Sequence, residues 1–446
     1  MSSDVDQPPR PALAGVRVLD LGRVLSGPFC AALLADLGAE VIKVEPPEGD
    51  DSRLFGPFVD GECAYFRLVN RGKYGISLDL RREPDVEVLR GLVRRSDVLI
   101  ENFRPGTLER LGIGDLEDLN PRLIVVSISG FGQTGPLGAQ PAYDLIAQAF
   151  SGLMAVTGWS ADQPTRCGVS LGDMIPALYG ALAAVAALRQ RETTGRGQRI
   201  DVSMVDSLVS LLESVAMRAL HSDEEIVPCG NDHAQTAPLS TFAAADGQVA
   251  IGVSNDRLFE RLAVALQRPE WLEDPRFMPY ATRCAHSGEL RAEIERALGG
   301  LTVEQATATL MAGGVPVSPI NDVRAALAHP QLRARGMVHI EEDGFATIAS
   351  PIRLRGSAPL RRAPRQGEHG ELIGAWLAEP VRGGGVDEPV RGGGVDEPVR
   401  GGGVDERVRG GGVDERVRGG GVDEDPAMAG RRSPSGSGAT RRTGTS

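Results

Sequence analysis

The chain reads as an α/β protein: a mostly parallel, helix-covered sheet followed by a second, smaller α+β domain. Two observations predict it. Short apolar runs alternate with helical stretches from Val16 to Leu220, which is the pattern of repeated βαβ units. Near His221–Ala237 the character changes to a polar, acidic connector, and hairpin and helix signals follow it.

In order, Val16–Leu21 predicts a buried strand, Phe29–Leu37 a helix and Glu40–Glu45 a second strand, with Gly22, Gly27 and Pro28 in the first turn. Glu83–Arg95 predicts a helix, Asp97–Glu101 a strand, Thr107–Leu111 a short helix and Leu123–Ile128 a further strand. Helices are expected at Asp144–Met154 and Met174–Arg189, a strand at Gln198–Ser203 and a helix at Val205–Leu220. Beyond the connector, Thr241–Val253 reads as a hairpin around Asp246-Gly247, a strong turn signal. Asp256–Leu266, Gly288–Leu298 and Val303–Ala312 read as helices. Val338–Leu360 returns to strand-like alternation, and Glu371–Leu377 closes as a short helix.

From Pro380 to Glu424 the nonamer Pro-Val-Arg-Gly-Gly-Gly-Val-Asp-Glu runs in five tandem copies, the last two opening with Arg407 and Arg416. No copy carries enough apolar surface to offset its ordering entropy. Residues 380–446 are therefore expected to form a disordered tail.

The formal net charge of −12 and an aromatic content of 4% argue against nucleic-acid or anionic-membrane partners. Five scattered cysteines without a Cys-x-x-Cys pair, and six dispersed histidines, argue against a disulfide framework and a metal site. Met1–Ala14 lacks an apolar signal core. Met174–Leu188, the longest apolar stretch, falls short of the ~20 residues of a membrane span. The expectation is a soluble cytoplasmic protein.

The first βαβ unit invites a dinucleotide reading, with Glu45 ending the second strand where a ribose-binding acid sits. Yet Leu21-Gly-Arg-Val-Leu-Ser-Gly-Pro28 lacks G-x-G-x-x-G, and Pro28 removes an N–H from the helix start. A Rossmann-like scaffold without NAD is the better reading.

Asp173 stands in Val169-Ser-Leu-Gly-Asp-Met-Ile-Pro176, where a strand-like run breaks at Gly172 and a helix begins. An aspartate there caps the first turn, and Pro176 suits that turn because its missing N–H costs nothing. The same position leaves a carboxylate at a helix N-terminus beside a glycine that permits close approach. This window alone favours the cap, since caps far outnumber nucleophiles.

Separated motifs change that balance. Gly27-Pro28, Val41-Ile-Lys-Val-Glu-Pro46 with Gly49-Asp50, Asn70-Arg-Gly-Lys73 and Glu101-Asn-Phe-Arg-Pro-Gly106 occur in this order. Ser129-Gly-Phe-Gly132, Tyr143-Asp144, Gly172-Asp173 and Thr194–Met204 follow. With this order and spacing, residues 12–377 resemble the class III CoA-transferase family, which includes formyl-CoA and carnitine CoA-transferases and α-methylacyl-CoA racemases. The resemblance implies an interlocked, ring-like homodimer. Its larger Rossmann-like domain is built from both chain ends (12–220 and 335–377), with a smaller α+β domain at 228–330 between them. It also implies coenzyme A as substrate, an acyl-CoA and a carboxylic acid as partners, and Asp173 as covalent nucleophile. In the matching segments Val24, Leu25 and Ser26 line the first turn. Asn70, Arg71, Lys73, Arg104 and Arg110 lie in the CoA-contacting stretches, and Asn102 and Phe103 hold the adenine.

A carboxylate nucleophile divides acyl exchange into easier covalent steps without ATP or metal, and Gly172 with nearby N–H groups is expected to stabilise the oxyanions. Two departures stand out. Pro46 replaces an arginine common in the family, and Ala237-Pro-Leu-Ser-Thr-Phe242 lacks the glycine run of formyl-CoA transferase, which weakens oxalate or formate as substrates. The racemase alternative needs a histidine where Tyr143 stands, and tyrosine, with a pKa near ~10, is a poor base at neutral pH. A CoA-binding protein without activity is the remaining alternative, opposed by the intact Asp173.

Overall fold

The computed structural model describes residues 10–356 and 360–378; the expected tail at 380–446 lies outside them. Six strands form one sheet: β1 (Arg17–Asp20), β2 (Glu40–Glu45), β3 (Lys73–Ser77), β4 (Val98–Glu101), β5 (Ile124–Ser129) and β6 (Arg199–Ser203). Their order is β3-β2-β1-β4-β5-β6 and every pairing is parallel, the order of a doubly wound sheet. Side chains alternate across it, as the two-residue strand period requires. Val18, Val41, Ile100 and Val126 enter one core, and Leu19, Ile42, Leu99 and Val125 the other. Both faces are thus covered, which explains why these strands read as unbroken apolar runs.

The helices that matter here are α1 (Ser26–Asp36), α2 (Ala64–Asn70), α3 (Glu83–Val93), α4 (Asp144–Phe150), α5 (Leu171–Thr194), α6 (Met204–Val209) and α7 (Gly370–Ala378). On the first face Cys30, Ala31 and Leu34 of α1 pack with Ala177, Ala181, Ala184 and Leu188 of α5. On the second, Leu89 and Leu92 of α3 share a core with Ile373 of α7. Trp376 meets Tyr74 edge-on at 5.1 Å, so the last described helix packs beside β3.

Residues 239–319 form an antiparallel sheet of β7 (Leu239–Ala244), β8 (Gly247–Gly252) and β9 (Val317–Pro319). The β7–β8 pair closes with Ala244 opposite Gly247, the hairpin expected at Asp246-Gly247. Helices Asp256–Ala265, Ser287–Leu298 and Val303–Ala312 lie close to their expected bounds and supply Phe259, Leu262, Ile294 and Leu310 to its core.

Four differences from expectation bear on the larger sheet and its helices. The strand β3 was unforeseen, because its residues Lys-Tyr-Gly-Ile-Ser show a buried lysine where an apolar residue signals a strand. The helix expected at Asp144–Met154 stops at Phe150, before Gly152 at φ 87°. The expected helix Val205–Leu220 is broken: α6 ends at Val209, a 3-10 turn follows, and a new helix runs Glu213–His221. The helix α5 is 24 residues long, so length no longer separates it from a membrane span. Its Ala- and Gly-rich face is nonetheless packed on the sheet and is not available to lipid.

Candidate active site

In an open parallel sheet, ligands bind beyond the carboxyl ends of the strands where the strand order reverses. Here that point lies between β1 and β4. The turn after β1 and the segment after β4 are tied directly: Asn102 Oδ1 accepts from Arg23 N at 2.7 Å. Its Nδ2 donates to Arg23 O at 2.9 Å and to Ser26 Oγ at 3.0 Å. A Cβ on Gly22 would come within 2.8 Å of Gly27 Cα, so the turn closes only with glycine. Below it, Glu101 is buried and accepts Phe103 N–H at 2.7 Å, while burial raises its carboxyl pKa.

At this switch point lies a cavity of about 410 Å³. It gathers eight of the residues singled out in sequence: Val24, Leu25, Ser26, Asn102, Phe103, Arg104, Tyr143 and Asp173. Met204, the end of the Thr194–Met204 motif, joins them, as do Arg23, Asp51 and Gln140, which carried no motif signal of their own. A second cavity of about 470 Å³ meets the first at Arg23, Asp51 and Phe103. Its wall is apolar at Leu21, Val44, Leu78, Leu80 and Leu111, with Arg81 beside them. Arg110 is exposed and bonds Thr107 Oγ1 at 2.6 Å, next to the first cavity.

Asn70, Arg71 and Lys73 are not brought to either cavity. Lys73 Nζ is buried against Asp20 Oδ2 at 2.7 Å, Pro28 O at 2.8 Å and Asn70 Oδ1 at 2.8 Å. Arg71 is buried on Asp36, at 3.1 and 2.5 Å. Their charges are committed inside the fold, and sequence cannot separate such a cation from one that meets a ligand. Glu45, the ribose-acid candidate, is likewise held by Arg53 at 2.7 Å through both oxygens.

Asp173 differs from its expected setting in three ways. No strand precedes it: α5 starts at Leu171, so Asp173 is the third helical residue and not the cap. Pro176 therefore lies inside the helix, where it leaves the Gly172 carbonyl without its helical donor. The first-turn N–H is capped from a distance, with Gly172 N donating to Asp144 Oδ1 at 2.8 Å. Asp144 is buried and also accepts Gln148 Nε2 at 2.8 Å and Arg166 at 2.8 Å. A Cβ on Gly172 would meet Asp144 Cα at 3.1 Å. This glycine thus serves packing against Asp144, and its N–H is not free to stabilise an oxyanion.

The Asp173 carboxylate accepts no side-chain hydrogen bond among the described residues, although it faces the cavity. Burial, and secondarily the Asp144 charge, raises its pKa to about 7. The helix N-terminus favours the anion by only ~0.3–1 kcal/mol, and burial wins. Asp144 has no long-range signal in sequence beyond its place after Tyr143. No histidine lines the cavity among the described residues.

A doubly wound sheet with an unpaired carboxylate in a switch-point cavity defines a ligand-binding α/β protein with its candidate site beyond the strand ends. Residues 13–370 match the model of CoA-transferase family III, and the chain belongs to that family. An acetyl-CoA:oxalate CoA-transferase of Acetobacter aceti is 40% identical over 387 residues, 85% of this chain and 99% of the relative. A succinate–glutarate CoA-transferase of Agrobacterium fabrum (strain C58 / ATCC 33970) is 39% identical over 382 residues, 82% of this chain and 95% of the relative. A CAIB/BAIF family protein from Brucella suis has a solved structure with a TM-score of 0.74 and 39% identity, over 83% of this chain and all of that one. The protein is a class III CoA-transferase.

If Lys73 acts inside the fold, Lys73→Met strands the buried Asp20 carboxylate. Chemical denaturation should then show a loss of ~3–5 kcal/mol. Unchanged stability with a raised KM for acyl-CoA would return Lys73 to the ligand site.

Proposed function

We propose that the enzyme moves CoA from an acyl-CoA to a carboxylic acid through an aspartyl-CoA thioester on Asp173, working as a homodimer. The observation that carries this reading is the Asp173 carboxylate: free of side-chain donors, it faces a cavity that meets a second, apolar one. The second cavity suits the adenosine end of CoA, with Leu78, Leu80 and Phe103 against the base. Arg81, paired at the surface with Asp79 at 2.7 Å and Glu48 at 3.3 Å, stands in the wall where Pro46 offers no cation, and Arg104 has no acidic partner among the described residues. The thiol end then extends past Val24 toward Asp173.

The carboxylate attacks the thioester carbonyl, forming a mixed anhydride and releasing CoA thiolate. The thiolate attacks the aspartyl carbonyl, expelling the donor acid and leaving aspartyl-CoA. An incoming carboxylate attacks that thioester to give a second anhydride and thiolate. Attack of the thiolate on the acyl carbonyl frees Asp173 and forms the new acyl-CoA. Each bond broken is replaced by another activated acyl bond, so no external energy source enters.

The relatives' names include oxalate, glutarate and mesaconate. Their shared chemistry supports a dicarboxylic acid as one substrate here. Oxalate returns to that set despite the missing glycine run.

The homodimer is supported by apolar surface left open on one side of the sheet. Leu145, Ile146 and Phe150 on α4, Leu178 and Leu182 on α5, and Met217 and Leu220 on the helix after α6 are all exposed. Patches of this kind mark association surfaces. Light scattering should give the mass of two chains, and a monomer would sink the dimer.

Mass spectrometry after incubation with acyl-CoAs should find a hydroxylamine-sensitive CoA adduct on the wild type and none on Asp173→Ala. An adduct that survives in Asp173→Ala overturns the assignment of the nucleophile. Because Asp173 must be ionised to attack and titrates near pH 7, kcat/KM should fall about tenfold per pH unit below that value. A rate that stays flat to pH 5 would mean that the essential carboxylate is not this one.

A further inference from the structure

Val24 adopts φ 65°, the left-handed region that β-branched residues avoid because Cβ crowds the carbonyl. Asp60, Glu213 and Gln267 share a positive φ, but none of them is β-branched and none lines the Asp173 cavity. Strain of this kind persists only where the surroundings impose it, and here the source is visible. Asn102 holds both backbone groups of Arg23. One residue later, Asp50 accepts the Val24 N–H through both oxygens, at 3.2 and 3.3 Å. Both clamps fix the Arg23–Val24 peptide ahead of the Val24 N–Cα bond, and Leu25 N–H, donating to Arg23 O at 2.9 Å, closes a three-residue turn centred on Val24.

Asp50 is itself immobilised. It is 2% exposed and accepts from Ser52 N at 2.9 Å, Ser52 Oγ at 2.7 Å and Lys43 Nζ at 2.8 Å. Its own N–H is bonded to Glu45 Oε2 at 3.0 Å. Lys43 also donates to Gly22 O, so one buried ion pair grips the turn at two points. The residues so held face both cavities: Arg23 lines the two of them, and Val24, Leu25 and Ser26 line the one containing Asp173.

We infer that Asp50, held by Lys43, is a positioning residue for acyl-CoA: it imposes the left-handed conformation on Val24 and so shapes the passage between the two cavities. The inference rests on the proposed CoA site, and it goes beyond it by naming what keeps that site open. A purely stabilising ion pair has no reason to act through the conformation of residue 24. Glycine at that position adopts φ 65° without help, which separates the two roles.

The experiment is a double-mutant cycle of Asp50→Asn and Val24→Gly, with CoA affinity measured by calorimetry and KM and kcat by steady-state turnover. In the wild-type background, Asp50→Asn should raise Kd and KM more than about tenfold with kcat within about threefold. In the Val24→Gly background the same change should shift both by less than about threefold, whatever Val24→Gly does alone. Equal shifts in both backgrounds, or a fall in kcat with KM unmoved, would overturn the inference. Should Asp50→Asn fail to fold, Lys43→Met with Asp50→Asn removes both buried charges together and is carried through the same cycle. A wild type that binds CoA but transfers it to no acid defeats the transferase mechanism while the affinity arm still decides this inference. A wild type that binds no CoA defeats both.

Discussion

Two buried lysine–aspartate pairs beneath the turn after β1 hold the site in place. Lys73 bridges β3 to Asp20 at the end of β1, and Lys43 bridges β2 to Asp50. Lys43 and Lys73 are the two lysines of the whole chain, and both are spent here. A buried charge without a partner is far more costly than an exposed one, so each ammonium fixes the position of its carboxylate. Burial pushes the Lys73 ammonium down to about 8, against the opposing pull of Asp20. Burial alone would raise the Asp50 carboxyl, yet Lys43 and Ser52 hold it well below the usual range. The charges are therefore structural, and both lie on the β1 side of the switch point.

The proposed nucleophile is governed by the opposite arrangement. Asp173 has no cation to settle it; burial and the neighbouring Asp144 raise its pKa. A carboxylate left unsatisfied is a better nucleophile than one that accepts several hydrogen bonds, because attack then breaks no existing contact. Asp144 takes over the capping that sequence assigned to Asp173, which leaves Asp173 free for chemistry. Capping thus falls to Asp144, and nucleophilic attack is the role proposed for Asp173.

Much of the fold was legible because its signals are local. Alternating apolar runs announced the parallel sheet, and Asp246-Gly247 announced the hairpin of the second sheet. The strand β3 escaped because a lysine stands at its start, and that lysine becomes a core residue only through partners such as Asp20, distant in sequence. Eight of the twelve site residues chosen from sequence line one cavity. Arg110 stands beside it, and Asn70, Arg71 and Lys73 lie elsewhere, since a conspicuous cation reads the same whether its partner is a ligand or an aspartate, and Asn70 follows Lys73.

The sequence by itself determined the alternation of strands and helices, the turn glycines and a carboxylate near the start of a long helix. These follow from periodicity and from steric limits within a few residues. Only the tertiary structure decided which charges pair, since Lys73 meets Asp20 across 53 positions and Gly172 meets Asp144 across 28. It also decided the ionisation of Asp173. Coulomb energy and desolvation depend on distance through space and on burial, and neither is written in the order of residues.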